Sequence, residues 1–441
     1  MTRLLCICVL LIGATSLWSQ VEPSATGGDF DLNDLHMMTP PPVSGDAYPV
    51  MVGSEMRSNY LGGGLVFTAA YMDNLLAANG TGKPISDETY SFLPTFGIDR
   101  RTPRQGESLE YSAGATLYQN TSELNGVSQN AKAGYRFHIS PYAVVEVHDA
   151  FTQNYNLFNQ GNPFTGTGTS GSPGAPNSVL IAPFANQLGN SANANIDYQF
   201  GRNAMIGASG SYSFLRYSSD SQNQGLNNLY TTGATGFYSR RIARSEYVGA
   251  LYQYEKYITH PVTTYTPTHT VFGFYTHYFT QSFSLSILAG PEHYSSSGSG
   301  SAKVVEAWTP AVQGSLGWQT RRWNATASYS HIVSGAGGLV GTYEANLVGV
   351  RVEDALSRRW TVGSSADYAL FSDVNLTGVS PGHTLAGTAF LRRKIAEKLL
   401  AEAGYEYFHQ SYGITQGASY NPNSNRVYLS IAYEFSRPIG R

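Results

Sequence analysis

The chain has 441 residues, of which 41% are hydrophobic and only 13% are charged, and it contains 47 Gly and 31 Tyr. Because globular proteins carry about 25% charged residues, this composition argues against a coiled coil, a charged disordered chain and an ordinary cytosolic enzyme. The formal net charge is only -3 and no basic run could neutralise phosphates, so nucleic-acid binding is not expected.

The first segment has the pattern of a secretory signal peptide. Arg3 precedes an apolar stretch at residues 4–12, and small residues follow before position 20. An uncleaved anchor helix is the alternative, but the apolar stretch is too short to span a bilayer. Removal of residues 1–20 would take away both cysteines, Cys6 and Cys8, so the exported chain is predicted to have no disulfide and no cysteine-ligated metal.

Residues 21–61 are predicted to form a periplasmic N-terminal linker. Three consecutive prolines, Pro40 to Pro42, and scattered acidic residues interrupt any periodic pattern, which is typical of an extended segment. The alternative is that this segment folds into the lumen of the following domain as a small plug.

From Gly62 onward, apolar and polar residues alternate with a period of two, which predicts β-strands. In residues 108–117, 130–137, 193–200 and 427–435 one face is apolar or aromatic and the other is small or polar. The strands are about 10–13 residues long, whereas strands of soluble proteins average about 5–6 residues and a tilted transmembrane strand needs about 9–11. The sequence therefore predicts an all-β chain that forms a single transmembrane antiparallel β-barrel.

About 18 such strands follow one another in residues 62–438, which leaves residues 439–441 as a short tail. Their predicted first residues are Gly62, Thr89, Glu107, Ser128, Tyr142, Ser191, Ala204, Asn227, Ser245, Thr268, Phe283, Lys303, Trp323, Gly341, Arg359, His383, Lys398 and Asn425. The connections alternate between short turns, such as residues 102–106, and long stretches, such as residues 155–190. Because outer-membrane barrels have short periplasmic turns and long extracellular loops, both chain ends are placed in the periplasm.

The closing strand carries the alternating aromatic residues Tyr433 and Phe435. Together with the long alternating strands and the order of turns and loops, it makes the chain resemble the Gram-negative outer-membrane β-barrel (porin-like) superfamily, in particular porin-like barrels of soil bacteria. The resemblance covers residues 62–438. It implies a location in the cell outer membrane, contact with outer-membrane lipids, insertion by the barrel-assembly machinery and passive transport. Residues 436–441 continue beyond the last aromatic residue, where such barrels usually end.

Sequence motifs for nucleotide binding and for common hydrolase chemistry are absent. The ten His residues are dispersed, which favours interfacial or lumen positions over metal ligation. Residues 218–225 offer oxygen atoms to calcium but contain a single carboxylate, Asp220. The chain is therefore predicted to be no enzyme and to have no cofactor and no metal. An outer-membrane lipid hydrolase is a distant alternative, for which the sequence identifies no pair of Ser and His.

Strand parity predicts which charged side chains face the lumen. The candidates are Glu110, Lys132, Arg136, Glu146, Asp197, Asp367, Arg392, Lys394, Glu402, Glu406, Arg426 and Glu434. Opposite signs on adjacent strands favour ion pairs that stiffen the wall over a solute-binding role. Parity is ambiguous in residues 305–318 and 343–352, where a bulge would explain the irregular pattern.

Residues 155–190 are the longest predicted connection and contain no Asp, Glu, Lys or Arg. Val179, Leu180, Ile181 and Phe184 form an apolar patch within it. Because such a patch is costly to leave in water, we expect the loop to dock either on the inner wall, where it would narrow the channel, or on a neighbouring loop. A disordered surface loop is the alternative.

The leading functional hypothesis is an outer-membrane porin-like channel for passive diffusion of small hydrophilic solutes, because a barrel of 18 strands is wide enough for an aqueous lumen. The alternative is a non-conducting outer-membrane barrel that acts as a structural protein or adhesin through its extracellular loops. Assembly as a homo-oligomer is compatible with either hypothesis.

Cysteines introduced one at a time test the predicted topology. Asn223→Cys and Asn375→Cys should react with an impermeant thiol reagent on intact cells, because both positions lie in predicted extracellular loops. Gln105→Cys, at a predicted periplasmic turn, should stay unlabelled. Equal labelling at all three positions would contradict the predicted order of turns and loops.

Overall fold

The computed structural model describes residues 59–75, 84–154, 186–218, 226–280, 282–298, 304–320, 322–335, 337, 341–374, 381–414, 418–420 and 423–439. The predicted signal peptide, residues 21–58 of the predicted linker and the carboxylate Asp220 lie outside these ranges. Among the described residues, no helix has the length and hydrophobicity needed to cross a membrane.

Nearly all of the described chain is β-strand, apart from a short 3-10 turn at Ser122–Leu124. The described strands are β1 (Tyr60–Met72), β2 (Asp87–Arg101), β3 (Gln105–Tyr118), β4 (Gly126–Ser140), β5 (Ala143–Asn154), β6 (Gln187–Gly201), β7 (Ala204–Tyr217), β8 (Asn228–Ala243), β9 (Glu246–His260), β10 (Thr264–Thr280), β11 (Phe283–Gly298), β12 (Val305–Gln319), β13 (Trp323–Gly335), β14 (Thr342–Asp354), β15 (Trp360–Asp373), β16 (Gly382–Ala396), β17 (Leu399–Ile414), β18 (Ala418–Tyr420) and β19 (Asn423–Pro438).

The sheet closes on itself. Each long strand pairs antiparallel with its neighbours in the chain, and β1 pairs with β19 from Tyr60↔Pro438 to Met72↔Arg426. The short β18 pairs with β17 inside the connection to β19 and adds no strand to the wall. The described chain is thus a closed antiparallel barrel of 18 strands, as predicted, and the predicted strand starts lie within a few residues of the observed ones.

The two faces of the wall have opposite chemistry. On β3, Leu109 and Tyr111 are each 42% exposed on the outer face. Ser112 and Thr116, which follow them in the strand, point inward. The same alternation runs through the wall and puts Thr, Ser, Gly and charged side chains inside. This confirms the predicted period of two, because successive side chains of a strand point to opposite faces.

One end of the barrel has short turns, such as residues 141–142 and 244–245, and both ends of the described chain lie at that end. The opposite end carries the longer connections, with one short exception at residues 261–263 between β9 and β10. The bulges of the described strands occur next to short turns, as between His138 and Ser140. The expected bulges in residues 305–318 and 343–352 are wrong, because β12 pairs with β11, and β14 with β13, in unbroken register.

β12 alternates regularly between its two faces, but its ladder with β13 is interrupted. β12 pairs with β13 only from Gln319↔Asn324 to Val312↔His331, and continued register would bring Val333 opposite Pro310. The Thr320 N–H donates to the Trp323 carbonyl oxygen, so even-numbered residues of β12 direct their backbone groups toward β13. Pro310 has no N–H to donate at that position, and the ladder therefore ends before it.

The assignment of the two faces can be tested on neighbouring residues of β6. Ile196→Arg should lower the free energy of unfolding by about 2 kcal/mol or more, because a charge on the lipid face costs about 2–4 kcal/mol at the bilayer midplane. Asn195→Arg, which points into the lumen, should cost much less. Urea titrations of the protein in lipid vesicles measure both variants. A larger loss for the Asn195 variant would mean that the faces are assigned the wrong way round.

Candidate functional site

The outer face of the wall is an apolar band that ends in aromatic side chains. At the turn end these include Tyr142, Phe200, Trp318, Trp323 and Trp360, and at the loop end Tyr71, Tyr90, Tyr265 and Trp308. A closed ladder leaves no sheet edge to lipid, and such aromatic girdles mark the two membrane interfaces. The chain is an outer-membrane β-barrel. Its candidate functional site is the lumen.

One charged group of the lumen lies on β16, β17 and β19. The Arg392 guanidinium donates through Nε to Oε2 of Glu402 at 2.8 Å, and Arg426 donates through Nη1 to Oε2 of Glu406 at 2.9 Å. The Tyr428 hydroxyl donates to the second oxygen of Glu402 at 2.8 Å. The side chains of Arg392 and Glu402 are only 10% and 5% exposed, so this pair is buried in the wall.

Two other predicted lumen residues of these strands, Lys394 and Glu434, lie outside the ion pairs of this charged group. Lys394 is exposed beside the last turn of the barrel and takes no part in the ion pairs described for Arg392 and Arg426. Glu434 lies half-buried on β19, opposite Gly64 of β1. The ion pairs of this group are therefore formed by Arg392 with Glu402 and by Arg426 with Glu406, without Lys394.

The second charged group lies on β3, β4 and β5. Glu110 is opposite Lys132 in the ladder, and Arg136 forms an ion pair with Glu146 across the next pair of strands. The His148 ring lies 3.7 Å from the second oxygen of Glu146. Lys132 is exposed and His148 is 51% exposed, so these two side chains are open to the lumen, whereas the side chains of Arg136 and Glu146 are only 15% and 13% exposed.

The remaining predicted candidates are Asp197 on β6 and Asp367 on β15. Each lies directly opposite a glycine of the adjacent strand, Gly207 and Gly349. A β-carbon at either glycine would press against the facing carboxylate. The absent side chains therefore leave the room that these two inward carboxylates occupy.

Sequence parity missed two acidic residues deep in the lumen, Glu255 of β9 and Glu292 of β11. They are 9% and 3% exposed. The only sequence signal is an acid within an otherwise uncharged inward face, since Glu255 shares parity with Leu251 and Tyr257. In the described part of the chain, no group of three or more His, Cys, Asp and Glu side chains could hold a metal ion.

Glu292 holds a hairpin that bends into the barrel, and Glu255 accepts a hydrogen bond from the Tyr257 hydroxyl beside it. Above Val312 the ends of β13 and β14 leave β12 and cross the inner wall of β7 to β11. The Val333 N–H donates to Glu292 at 3.2 Å, and the Tyr257 hydroxyl lies 3.3 Å from the Val333 carbonyl oxygen. The Val333 N–H that Pro310 leaves without a ladder partner is therefore satisfied by Glu292 from inside the lumen, while the Tyr257 hydroxyl beside the Val333 carbonyl oxygen donates to Glu255.

Further contacts fix the tip of this hairpin, which we call the inward hairpin (residues 330–335, 337 and 341–345). The Tyr217 hydroxyl of β7 donates to the Gly337 carbonyl oxygen, and Thr342 donates to Thr266 of β10 at 3.2 Å. Gly335 has no side chain where Leu229 of β8 packs against it. The inward hairpin thus covers the loop-end half of the wall on that side.

A polar cluster closes the gap between β12 and the inward hairpin. The Thr309 hydroxyl donates to Oε1 of Glu344 at 2.7 Å, and the same oxygen lies 3.0 Å from Nε2 of His331. The other ring nitrogen of His331 lies 3.0 Å from Oδ1 of Asn346. Side-chain contacts thus replace the missing rungs of the ladder at this position.

The structure describes an element in the lumen that the sequence did not identify. The predicted constriction loop, with Val179, Leu180, Ile181 and Phe184, lies outside the described residues. The inward hairpin follows the thirteenth strand instead of the fifth. Its sequence signal is Pro310 in the middle of a predicted membrane strand, where a proline removes a ladder hydrogen bond.

Comparison with known proteins finds no matching family model and no matching curated protein. Among solved structures, the chain is similar to OccK2 (OpdF) of Pseudomonas aeruginosa, solved in complex with glucuronate, at 9% identity and a TM-score of 0.44, over 86% of this chain and 98% of that one. It is similar to the outer membrane protein OpdK of the same organism at 11% identity and a TM-score of 0.42, over 86% and 99% of the two chains.

A further similarity is to the FrpB iron transporter of Neisseria meningitidis, at 10% identity and a TM-score of 0.39, over 86% of this chain and 82% of that one. The closed ladder and the two faces of the wall, rather than these similarities, identify the chain as a membrane-spanning barrel.

The buried ion pair can be tested with a double-mutant cycle. Arg392→Gln should lower the free energy of unfolding by about 3–5 kcal/mol, because it leaves the buried Glu402 carboxylate without its partner. Adding Glu402→Gln should recover most of that loss. The matched control is Arg101→Gln, which breaks the ion pair with Asp99 near a turn, where the two side chains are 28% and 32% exposed. It should change stability little, because exposed pairs contribute little. Urea unfolding in vesicles measures all variants, and equal losses for the two single Arg variants would contradict the burial of the pair.

Proposed function

We propose that this barrel is a porin-like channel for passive diffusion of small hydrophilic solutes across the outer membrane. The observation that carries the proposal is the unequal burial of the inner wall. On β10 every inward side chain from Thr264 to Tyr278 is buried, whereas Lys132 of β4 and His148 of β5 stay exposed inside the closed wall. An aqueous path along the inner side of β3 to β6 would account for this difference in burial between the two sides of the lumen.

The path is lined by groups that suit hydrated solutes. Asn130, Asn193 and Asn195 point inward beside the charged pairs of β3 to β5. Charges and amides at a water-filled wall exchange hydrogen bonds with passing solutes, and the summed potential sets ion preference. The filled side of the lumen makes the path narrower than an open 18-stranded barrel would be.

The filled side is also the observation that favours the second candidate, a non-conducting barrel that acts through its extracellular loops. Under either function we propose a non-enzymatic protein in contact with outer-membrane lipids, whose closing strand β19 serves the barrel-assembly machinery. No nucleic-acid partner is proposed.

Conductance in a planar lipid bilayer separates the two functions. The purified protein should give steady ohmic channels, because the β3 to β6 wall is open to water. Absence of channels from protein that retains the heat-modifiable gel mobility of a folded barrel would leave the non-conducting barrel as the function.

Ion preference tests which wall lines the path. Lys132→Gln should shift the reversal potential under a salt gradient toward cation preference, because it removes a positive charge from the lumen. The shift should be largest at low salt, since charges are screened within about 10 Å at 0.1 M. The matched control is Lys256→Gln, which removes a lysine that stacks on Tyr265 at the outer face. The same reversal potential for both variants would mean that Lys132 does not line the path.

A further inference from the structure

The half of the filled wall at the turn end of the barrel is an apolar surface, which is unusual for the inside of a barrel. Its inward side chains form one buried cluster, the apolar inner wall, made of Met205, Phe237, Tyr247, Leu251, Phe272, Phe274, Tyr278, Leu288 and Ala311. Leu251 and Phe272 are each only 1% exposed. Wall neighbours flank an inward side chain but do not cover its tip, so burial this complete requires a cover from the lumen side.

The inward hairpin does not provide that cover. Its contacts, to Tyr217, Leu229, Tyr257, Thr266 and Glu292, lie at the loop end of β7 to β11. The apolar inner wall lies nearer the turns, and within the described residues its members come from β7 to β12 and not from the opposite side of the barrel.

The chain that precedes β1 enters the barrel at this same end. Its junction residue Asn59 is fixed to the rim on both sides. The Ile439 N–H donates to the Asn59 carbonyl oxygen at 2.7 Å, and the Arg101 N–H donates to Oδ1 of Asn59 at 3.0 Å. Asn59 has a φ of 64°, in the left-handed region that turns the chain sharply and that Asn tolerates better than most residues.

The preceding segment has the length and composition to cover the wall. With strands about 4.8 Å apart and tilted by about 40°, an 18-stranded wall is about 35 Å across, which about ten extended residues span. Residues 21–58 are far longer than that. They carry apolar residues in two groups, at positions 30–38 and 48–52, including three methionines, Met37, Met38 and Met51. Methionine side chains adapt to irregular apolar surfaces.

We propose that residues 21–58 fold back into the barrel and lie against the apolar inner wall as a small plug. This assigns the segment an intramolecular partner and adds to the proposed function without depending on it, because the plug is present whether or not the open wall conducts. The plug and the inward hairpin then divide the filled side of the lumen between them, one at each end.

Disulfide trapping in the full-length chain tests the proposal. Ala311→Cys places a thiol in the apolar inner wall, and Met37, Met38, Met51 and Met56 are changed to Cys one at a time in the same chain. After mild oxidation in the membrane, at least one pair should form a disulfide in high yield, identified as a linked peptide by mass spectrometry. The natural Cys6 and Cys8 lie in the predicted signal peptide and do not compete.

Two matched controls use the same segment cysteines. Ala289→Cys lies next to this wall on β11 but points outward, and Lys132→Cys points inward from the opposite wall. Both should give at least tenfold less disulfide than Ala311→Cys. No disulfide with Ala311→Cys at any of the four positions, or equal yields with Lys132→Cys, would overturn the proposal.

Limited proteolysis of the unmodified protein gives an independent measurement. A protease that cuts at Phe30 and Leu35 should cleave the folded barrel at least tenfold more slowly than the heat-unfolded chain, since a plug is shielded by the wall. A free linker would be cut at equal rates in both forms, and that result would also overturn the proposal.

Discussion

The structure depends on one constraint, which is that every backbone polar group in a membrane must find a partner within the protein. A peptide group without a hydrogen bond in hydrocarbon costs several kcal/mol. Closure of β1 onto β19 over their full length removes the two edges that an open sheet would leave. The period-two sequence follows from the same constraint, since a wall with lipid outside must direct its polar side chains inward. The one described place where the ladder stops early is therefore the place that determines the shape of the lumen.

That place is Pro310. At other prolines within strands, such as Pro94 and Pro267, the ladder resumes after a short gap, but above Val312 it does not resume and side-chain contacts take over the role of the backbone. Glu292 bonds the Val333 N–H, and Tyr257, which donates to Glu255, lies against the Val333 carbonyl oxygen. These contacts explain why two acids and a tyrosine are buried on a side of the inner wall that is otherwise made of Thr, Ser and apolar residues. The lumen is divided as a result. One side is packed, and the other keeps exposed charges that face water.

The sequence predicted the fold well because strand alternation is a local property. Each strand of Thr, Ser, Gly and aromatic residues can be assigned a face without knowledge of its neighbours, and the chain order fixes the ladder of an up-and-down barrel. The surroundings of the inward residues are not local. Parity predicted Arg392 and Glu402 only as inward charges on adjacent strands, but the pair is buried, because Tyr428 and the adjacent strands pack around it. The inward hairpin joins β13 and β14 to β7 through β11, contacts that no periodic pattern contains. Pro310 was a readable signal, since a proline within a membrane strand requires an explanation.

Pro310 also determines where the wall yields under mechanical load. Along most of its circumference the barrel is closed by rungs of equal strength that share an applied force, so that adjacent strands separate only if many rungs break together. Between β12 and the inward hairpin the load falls on a few separate side-chain contacts, Thr309 with Glu344 and Glu292 with Val333, which can give way one at a time. A pull on the loop end of the barrel would therefore concentrate at this seam and leave the other strand pairs intact. The early end of this one ladder gives the described wall a preferred line of opening.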